Sequence, residues 1–260
     1  MRRELDIAIA GAGIAGLVAA LACRQRGFRV RVFEQASELR ELGAGLQLSA
    51  NGTRVLIALG LRDAMERIVA MPTGKEVRLY NTGQMWPLFD LGVGSEERYG
   101  APYWMVHRGD FHRVLLDAVL ADDPEAIRTG FRCTGFADDG RVVLNFADGS
   151  RTSADVLIGA DGVHSEVRRQ MVGDSRPSFT GIAAWRGLVP MDRLPEHLRR
   201  PVGTSWIGPG GHVVTYPLRR AEILNFVGVI ERDSWSVESW TERGTTEECV
   251  GDFRGWHSDV

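Results

Sequence analysis

Gly11-Ala12-Gly13-Ile14-Ala15-Gly16 is a G-x-G-x-x-G cluster that follows an apolar run at residues 5–10 and opens a helical pattern at 14–26. In that context each glycine has a job. The first allows a tight turn, the second lets a pyrophosphate approach the backbone, and the third lets the helix pack on the sheet. The helix N-terminus adds N–H groups and partial positive charge for the phosphates. Glu34 ends the next apolar run, where a carboxylate accepts hydrogen bonds from ribose hydroxyls and repels a 2′-phosphate. The chemistry indicated is dinucleotide binding, and the motif leaves FAD and NAD equally open. The bland alternative is a glycine-rich packing turn beside a surface glutamate.

Two further clusters raise chemical questions. At residues 155–169, DVLIGADGVHSEVRR, an apolar strand runs into Gly159-Ala160-Asp161-Gly162 and then a charged helical segment. A strand that exits through such a turn brings its backbone close to something, and Asp161 tolerates the turn geometry. At residues 206–220, WIGPGGHVVTYPLRR, period-two alternation puts His212, Val214 and Tyr216 on one strand face. The backbones of His212 and Tyr216 are then ~13 Å apart, too far for a close mutual bond but suited to addressing one ring-sized ligand from two sides. The plainer possibility is a solvent-facing His212 beside Gly210-Gly211 and a core Tyr216. The remaining histidines, His107, His112, His164, His197 and His257, lack metal-ligand spacing and are read as structural.

The elements that must position these residues are legible in outline. Residues 5–10, 14–26 and 28–33 read as a βαβ unit with parallel strands. Residues 51–59 and 110–121 read as helices, the second capped by Asp110. Residues 126–136, 141–147 and 154–160 read as three strands, with Asp139-Gly140 and Asp148-Gly149 as turns. Beyond residue 176 the pattern is mostly strand: 185–189, 204–207, 212–218 and 223–230. Thr245 with Glu248 forms a capping box for a last short helix. The chain of 260 residues is 44% hydrophobic and carries a net charge of −3, which gives no bulk attraction for nucleic acid or anionic membrane. No apolar run is long enough to span a bilayer, no signal peptide is read, and Cys23, Cys133 and Cys249 suggest neither a disulfide framework nor a dithiol centre. A soluble cytoplasmic protein is expected.

Several stretches taken together, GAGIAGL with Glu34, LGAGLQLSANGTRVLIALGL (42–61), VHRGDFHRVLLDA (106–118), GADGVHSEVRR, AAWRGLVP (183–190) and WIGPGGHVVTYPLRR, resemble the FAD-dependent aromatic hydroxylases. The salicylate and 3-hydroxybenzoate hydroxylases are the nearest group. The resemblance covers essentially the whole chain and selects FAD. It implies an α/β fold: a Rossmann-like FAD-binding domain (1–75 and 101–176) and a β-rich substrate domain (76–100 and 177–260).

The same resemblance implies cofactor contacts from Gly11, Gly13, Ile14, Ala15, Gly16, Glu34 and Gln35. Arg40 and Gly43-Ala44-Gly45 would run along the ribityl chain and flavin. Arg108 would contact FAD, and Asp161-Gly162 would lie near the pyrophosphate and bear on NAD(P)H use. Gln47 would face the substrate. His212 would accept a phenol proton, making the ring electron-rich, while Tyr216 donates to a carboxylate or shares a proton relay. The implied reaction is hydroxylation of a small phenolic acid with NADH or NADPH and O₂, by a monomer or homodimer needing neither metal, nucleic acid nor membrane. The competing expectations are an FAD-dependent oxidoreductase that inserts no oxygen, and an inactive dinucleotide-binding fragment. The family's G-D-A-A-H-P segment has no counterpart after the Gly-Asp pairs at 109, 173 and 251, so a C-terminal segment of the FAD domain is expected to be missing.

Overall fold

A computed structural model describes residues 5–39, 44–173, 178–232 and 243–260 of the chain. The elements begin with β1 (Asp6–Ala10), α1 (Ile14–Arg24), β2 (Arg29–Glu34), β3 (Gly45–Leu48), α2 (Ala50–Ala58) and α3 (Arg62–Glu66). Next come β4 (Gly74–Leu79), β5 (Met85–Asp90), α4 (Val93–Tyr99), β6 (Trp104–His107) and α5 (Arg108–Asp122). The third run is β7 (Ile127–Thr129), β8 (Cys133–Asp138), β9 (Val142–Phe146), β10 (Arg151–Ala154), β11 (Val156–Gly159) and α6 (Glu166–Val172). The chain closes with β12 (Ile182–Pro190), β13 (Val202–Gly208), β14 (Gly211–Leu218), β15 (Ile223–Glu231) and α7 (Thr246–Asp252).

The chain divides into two compact units, Met1–Leu42 with Gly109–Pro177, and Gly43–Arg108 with Ser178–Val260. The sequence alone grouped residues 43–75 and 101–108 with the first domain; packing groups them with the second unit. The reason is strand pairing. β3 pairs with β6, and β4 runs parallel to β13 inside the large sheet of the second unit.

Unit 1 is built on a parallel sheet of order β11-β1-β2-β7 and an antiparallel sheet of order β10-β9-β8. Ala8, Phe33, Leu144, Phe146 and Ala154 bury their side chains together between the two sheets. Phe33 and Phe146 meet with ring centroids 4.9 Å apart. The stretch 126–136, expected as one strand, is two. It breaks at Gly130, whose φ of 81° is open to glycine at little cost, so that β7 follows β2 while β8 joins β9. The stretch 154–160 likewise splits at Asp155 between β10 and β11. Asp155 accepts the Asp6 N–H at 3.0 Å and returns its own N–H to the Asp6 carbonyl at 2.8 Å.

Unit 2 holds a six-stranded sheet of order β12-β15-β14-β13-β4-β5, antiparallel except for β13 with β4. One face packs Trp206, Val213 and Ile230 under Phe253 and the α7 region. The opposite face carries Tyr216 and Leu218 against Ala70 and Met105. α7 starts with the expected capping box between Thr245 and Glu248. Among the described residues no helix is long and apolar enough to cross a membrane.

The tightest backbone approach lies where α1 meets the end of β1. A Cβ added at Gly16 would overlap the Gly11 carbonyl oxygen. Gly16→Ala is therefore expected to destabilise the protein by about 1–3 kcal/mol or more, as overpacking against rigid backbone does. Denaturant unfolding checks this, and a variant as stable as the parent would show that the loop can yield.

Candidate functional site

In unit 1 the end of β1 is clamped on both sides. The Gly11 N–H donates to the Phe33 carbonyl at 2.8 Å, and the Ala160 N–H donates to the Ala10 carbonyl at 2.8 Å. Gly11 has a φ of 101°, and a Cβ there would collide with the Ala160 carbonyl, so the glycine loop and the Asp161 turn press on each other. Gly13 differs from both neighbouring motif glycines: a Cβ added there meets nothing within 4 Å. Gly13 is the N-cap of α1, which receives no side-chain cap and has no acidic residue in its first turn. Ile14 is half-buried and Ala15 exposed, which leaves the helix N-terminus approachable.

Glu34 secures this loop. Its Oε2 accepts the Ala12 N–H at 2.8 Å and its Oε1 accepts the Ala36 N–H at 2.9 Å, while Gln35 is exposed. His112, read from sequence as merely structural, reaches the same loop. Its buried Nε2 lies 2.7 Å from the Ala12 carbonyl oxygen, so the Nε2–H form donates there. In a trans peptide the C=O and the next N–H point opposite ways. Pinning the Ala12 carbonyl inward therefore turns the Gly13 N–H outward, where a phosphate oxygen would meet it.

Asp161 has a local structural role. Its Oδ1 accepts the Ser165 hydroxyl at 2.5 Å, and its Oδ2 accepts the N–H groups of Glu166 and Val167 at 2.8 and 3.2 Å. The carboxylate thus caps the first turn of α6, with Ser165 capping Arg168 N–H beside it. That is a local reason for an aspartate at this strand exit. Gly162 is exposed on the turn.

In unit 2, Ala44, Gly45, Gln47, Arg108 and Tyr216 come together. The Arg108 N–H donates to the Ala44 carbonyl at 2.9 Å. Tyr103 donates its hydroxyl to Gln47 Oε1 at 2.9 Å. Tyr216 lies against Gly45 so closely that a Cβ on Gly45 would sit 2.7 Å from its hydroxyl oxygen. The Gly45 N–H is held by Asn225 Oδ1 at 2.9 Å. His212 shares the strand face of Tyr216, as alternation predicted, yet its side chain is exposed at the hairpin end, whereas Tyr216 is only 5% exposed. Arg40 and Gly43 lie outside the described residues.

Burial pushes the Tyr216 phenol up from 10.0 to about 12, partly offset by the nearby Arg186. Tyr216 is therefore a neutral donor at any physiological pH. Burial likewise pushes Tyr103 up and lowers Arg186, whose field is shared by Tyr216 and Arg108. Arg186 and Asn225 were missed in the sequence. Their signal was present: each is a polar residue inside an otherwise apolar strand.

A sequence profile described as an FAD binding domain matches residues 4–259. A 3-amino-4-hydroxybenzoate 2-monooxygenase of Streptomyces platensis is 41% identical over 256 residues, covering 98% of this chain and 63% of the relative. A 3-hydroxybenzoate 6-hydroxylase of Aquipseudomonas alcaligenes is 38% identical over 262 residues, covering 96% and 63%. The structure of Klebsiella pneumoniae HpxO complexed with FAD and uric acid superposes with a TM-score of 0.84 at 27% identity, over 98% of this chain and 63% of that one. The chain thus spans about 63% of the length of these relatives.

The buried phenol makes stability pH-dependent in a defined direction. With a folded value of about 12 against 10.0, the folded state keeps a proton that the unfolded state releases. The stability is full below pH 10 and is lost as pH rises through about 12, by at most about 2–3 kcal/mol. Urea unfolding at pH 8 and pH 11.5 should show a steeper decline in the parent than in Tyr216→Phe. Parallel declines would mean that the phenol is solvated.

Proposed function

The chain belongs to the FAD-binding-domain family, and from that premise we propose that it serves an FAD-dependent monooxygenase hydroxylating a small phenolic acid of the salicylate or 3-hydroxybenzoate type. NADH or NADPH would supply the electrons and O₂ the oxygen atom. The observation that carries this reading is the pairing of features in one chain. An uncapped α1 N-terminus opens beside Gly13, and a sheet face offers a desolvated phenol to a ring-sized ligand. The named relatives act on hydroxylated benzoates, which supports the substrate class.

The residues present suit FAD. Gly13, Ile14, Ala15 and Gly16 would hold the pyrophosphate through backbone N–H groups, with Gly11 shaping the turn beside it and Glu34 and Gln35 at the ribose. Ala44, Gly45 and Arg108, with Arg40, would hold the flavin end, and the Asp161-Gly162 turn would support the loop from below. FAD, when bound, supplies the redox and oxygen-insertion chemistry. The chain's own residues bind and orient the acid and move its proton. His212 accepts the phenol proton, raising ring electron density. Tyr216, a neutral donor, hydrogen-bonds the substrate, and Gln47, held by Tyr103, lines the approach. Exposure of His212 in unit 2 is consistent with a base that meets its proton only when substrate is present.

Two outcomes are expected. Gly13→Val should unfold like the parent, because nothing stands within 4 Å of the added Cβ, yet it should fail to retain FAD. Full FAD occupancy in that variant would remove the cradle assignment. His212→Ala should lower aromatic hydroxylation by about 10²- to 10⁴-fold. NAD(P)H oxidation should continue with H₂O₂ released in place of product. A variant that stays fully coupled would take His212 out of the chemistry, and parent protein that oxidises NAD(P)H without inserting labelled oxygen would favour a non-oxygenating oxidoreductase.

A further inference from the structure

α5 buries a stripe of Phe111, His112, Leu115, Leu116 and Val119. All but His112 are apolar, and an apolar residue at 112 would complete the packing. An imidazole there, 4% exposed, is costly unless its polar atoms are used. One is used 100 residues away, where Nε2 lies 2.7 Å from the Ala12 carbonyl oxygen. A carbonyl oxygen only accepts, so Nε2 carries the proton and the neutral ring leaves Nδ1 bare.

The bond falls on one particular peptide of the glycine loop. The groups around it are held by other partners. The Gly11 N–H donates to the Phe33 carbonyl, the Ala12 N–H to Glu34 Oε2, and the Gly13 carbonyl accepts the Leu17 N–H at 3.0 Å. The Gly13 N–H has no hydrogen-bond partner among the described residues, and a Cβ on Gly13 would meet nothing within 4 Å. This N–H shares its peptide plane with the Ala12 carbonyl and points the opposite way, since no described peptide bond is cis. The plane turns as a unit. Turning it over changes ψ of Ala12 and φ of Gly13, and glycine accepts φ of either sign at little cost. The backbone at Gly13 therefore does not by itself choose between N–H outward and carbonyl outward. A carbonyl oxygen facing outward would repel a phosphate, and the His112 bond selects against it.

We propose that His112 is a positioning residue for the FAD pyrophosphate: its Nε2–H locks the Ala12–Gly13 peptide in the orientation that offers the Gly13 N–H to a phosphate oxygen. This rests on the reading of unit 1 as an FAD cradle and adds to it a residue outside the glycine motif. His112 acts through the peptide, because its one proton is already given to the Ala12 carbonyl.

His112→Leu keeps a side chain of similar bulk in the apolar stripe and removes the donor. His112→Gln puts an amide N–H near the position of Nε2. Titration of the flavin-free full chain with FAD, and with ADP as a diphosphate lacking the flavin, reads both variants. Measured well below the unfolding transition, these affinities do not register a loss of stability alone. His112→Leu should bind FAD and ADP about 10- to 100-fold more weakly, the effect of one charge-assisted hydrogen bond. His112→Gln should return to within about threefold of the parent. The Gly13 amide proton, followed by NMR, should move downfield on FAD binding in the parent and His112→Gln, and much less in His112→Leu at saturation. A leucine variant that binds both ligands like the parent overturns the proposal. Weakening that glutamine does not relieve overturns it too, because ring shape would then be the cause. Weakening of FAD with ADP unchanged places the effect at the flavin end and also overturns it. If His112→Leu does not fold, the imidazole nitrogen shifts of the parent decide: a proton on Nε2 that stays there when FAD binds upholds the bond, and a bare Nε2 overturns it. Parent protein that binds neither FAD nor ADP overturns the FAD reading itself, and the positioning role falls with it.

Discussion

Where β1 ends, the Gly11 carbonyl lies against Gly16 and the Ala160 carbonyl lies against Gly11, with no room for a Cβ at either glycine. The start of α1 in unit 1 is arranged around that contact. It draws the first turn of α1 onto the sheet and fixes where the helix N-terminus opens. It also makes β1 the shared neighbour of β2 and β11, since either partner must come within backbone hydrogen-bonding distance of the same short segment. Glu34 and His112 then hold the two peptide groups flanking the Ala12 Cα, one at the Ala12 N–H and the other at the Ala12 carbonyl. A loop so constrained presents its N–H groups without paying ordering entropy when an anion arrives.

Unit 2 solves a different problem. Its six-stranded sheet buries one face under aromatic packing and places Tyr216 and Asn225 on the other. A polar side chain on such a face must be partnered or await a partner. Asn225 meets the demand in part, its Oδ1 holding the Gly45 N–H while its Nδ2 has no hydrogen-bond partner, and Tyr216 lies against the same glycine. Gly45 is the counterpart of Gly16, a residue whose missing side chain admits a neighbour. Here the neighbour is a tyrosine ring instead of backbone, so the position of the β3 start is tied to one side chain of β14.

Much of the first unit was legible because its signals are local. The βαβ pattern, the spacing of Gly11, Gly13 and Gly16, and Glu34 at a strand end all fall within thirty residues of one another. What escaped depends on partners far along the chain. Asn225 reaches Gly45 across 180 residues and His112 reaches Ala12 across 100, and neither residue type announces such a bond. The breaks at Gly130 and Asp155 escaped because an apolar run does not say which of two sheets each half joins. Asp161 shows the opposite case. Its carboxylate caps the nearest helix N-terminus, a short-range partner that the reading of the turn from sequence did not include.

The contrast between the two units bears on where specificity can reside. A cradle of backbone N–H groups recognises phosphate and little else, and only the glycines that admit it leave a mark in sequence. Substitution at Gly11 or Gly16 breaks the loop before it changes the ligand. A sheet face recognises through side chains contributed by separate strands, here β12, β14 and β15. Each of those side chains can change while the backbone ladder beneath it persists, because the ladder's hydrogen bonds do not involve them. Substitutions at positions 216 and 225 can therefore leave the ladder in place, although both side chains also hold the Gly45 backbone. The exception is Gly45, which cannot gain a side chain while a tyrosine occupies position 216. A change at Gly45 would demand a smaller residue at 216, so those two positions must vary together, and position 225 with them insofar as it supplies the acceptor for the Gly45 N–H.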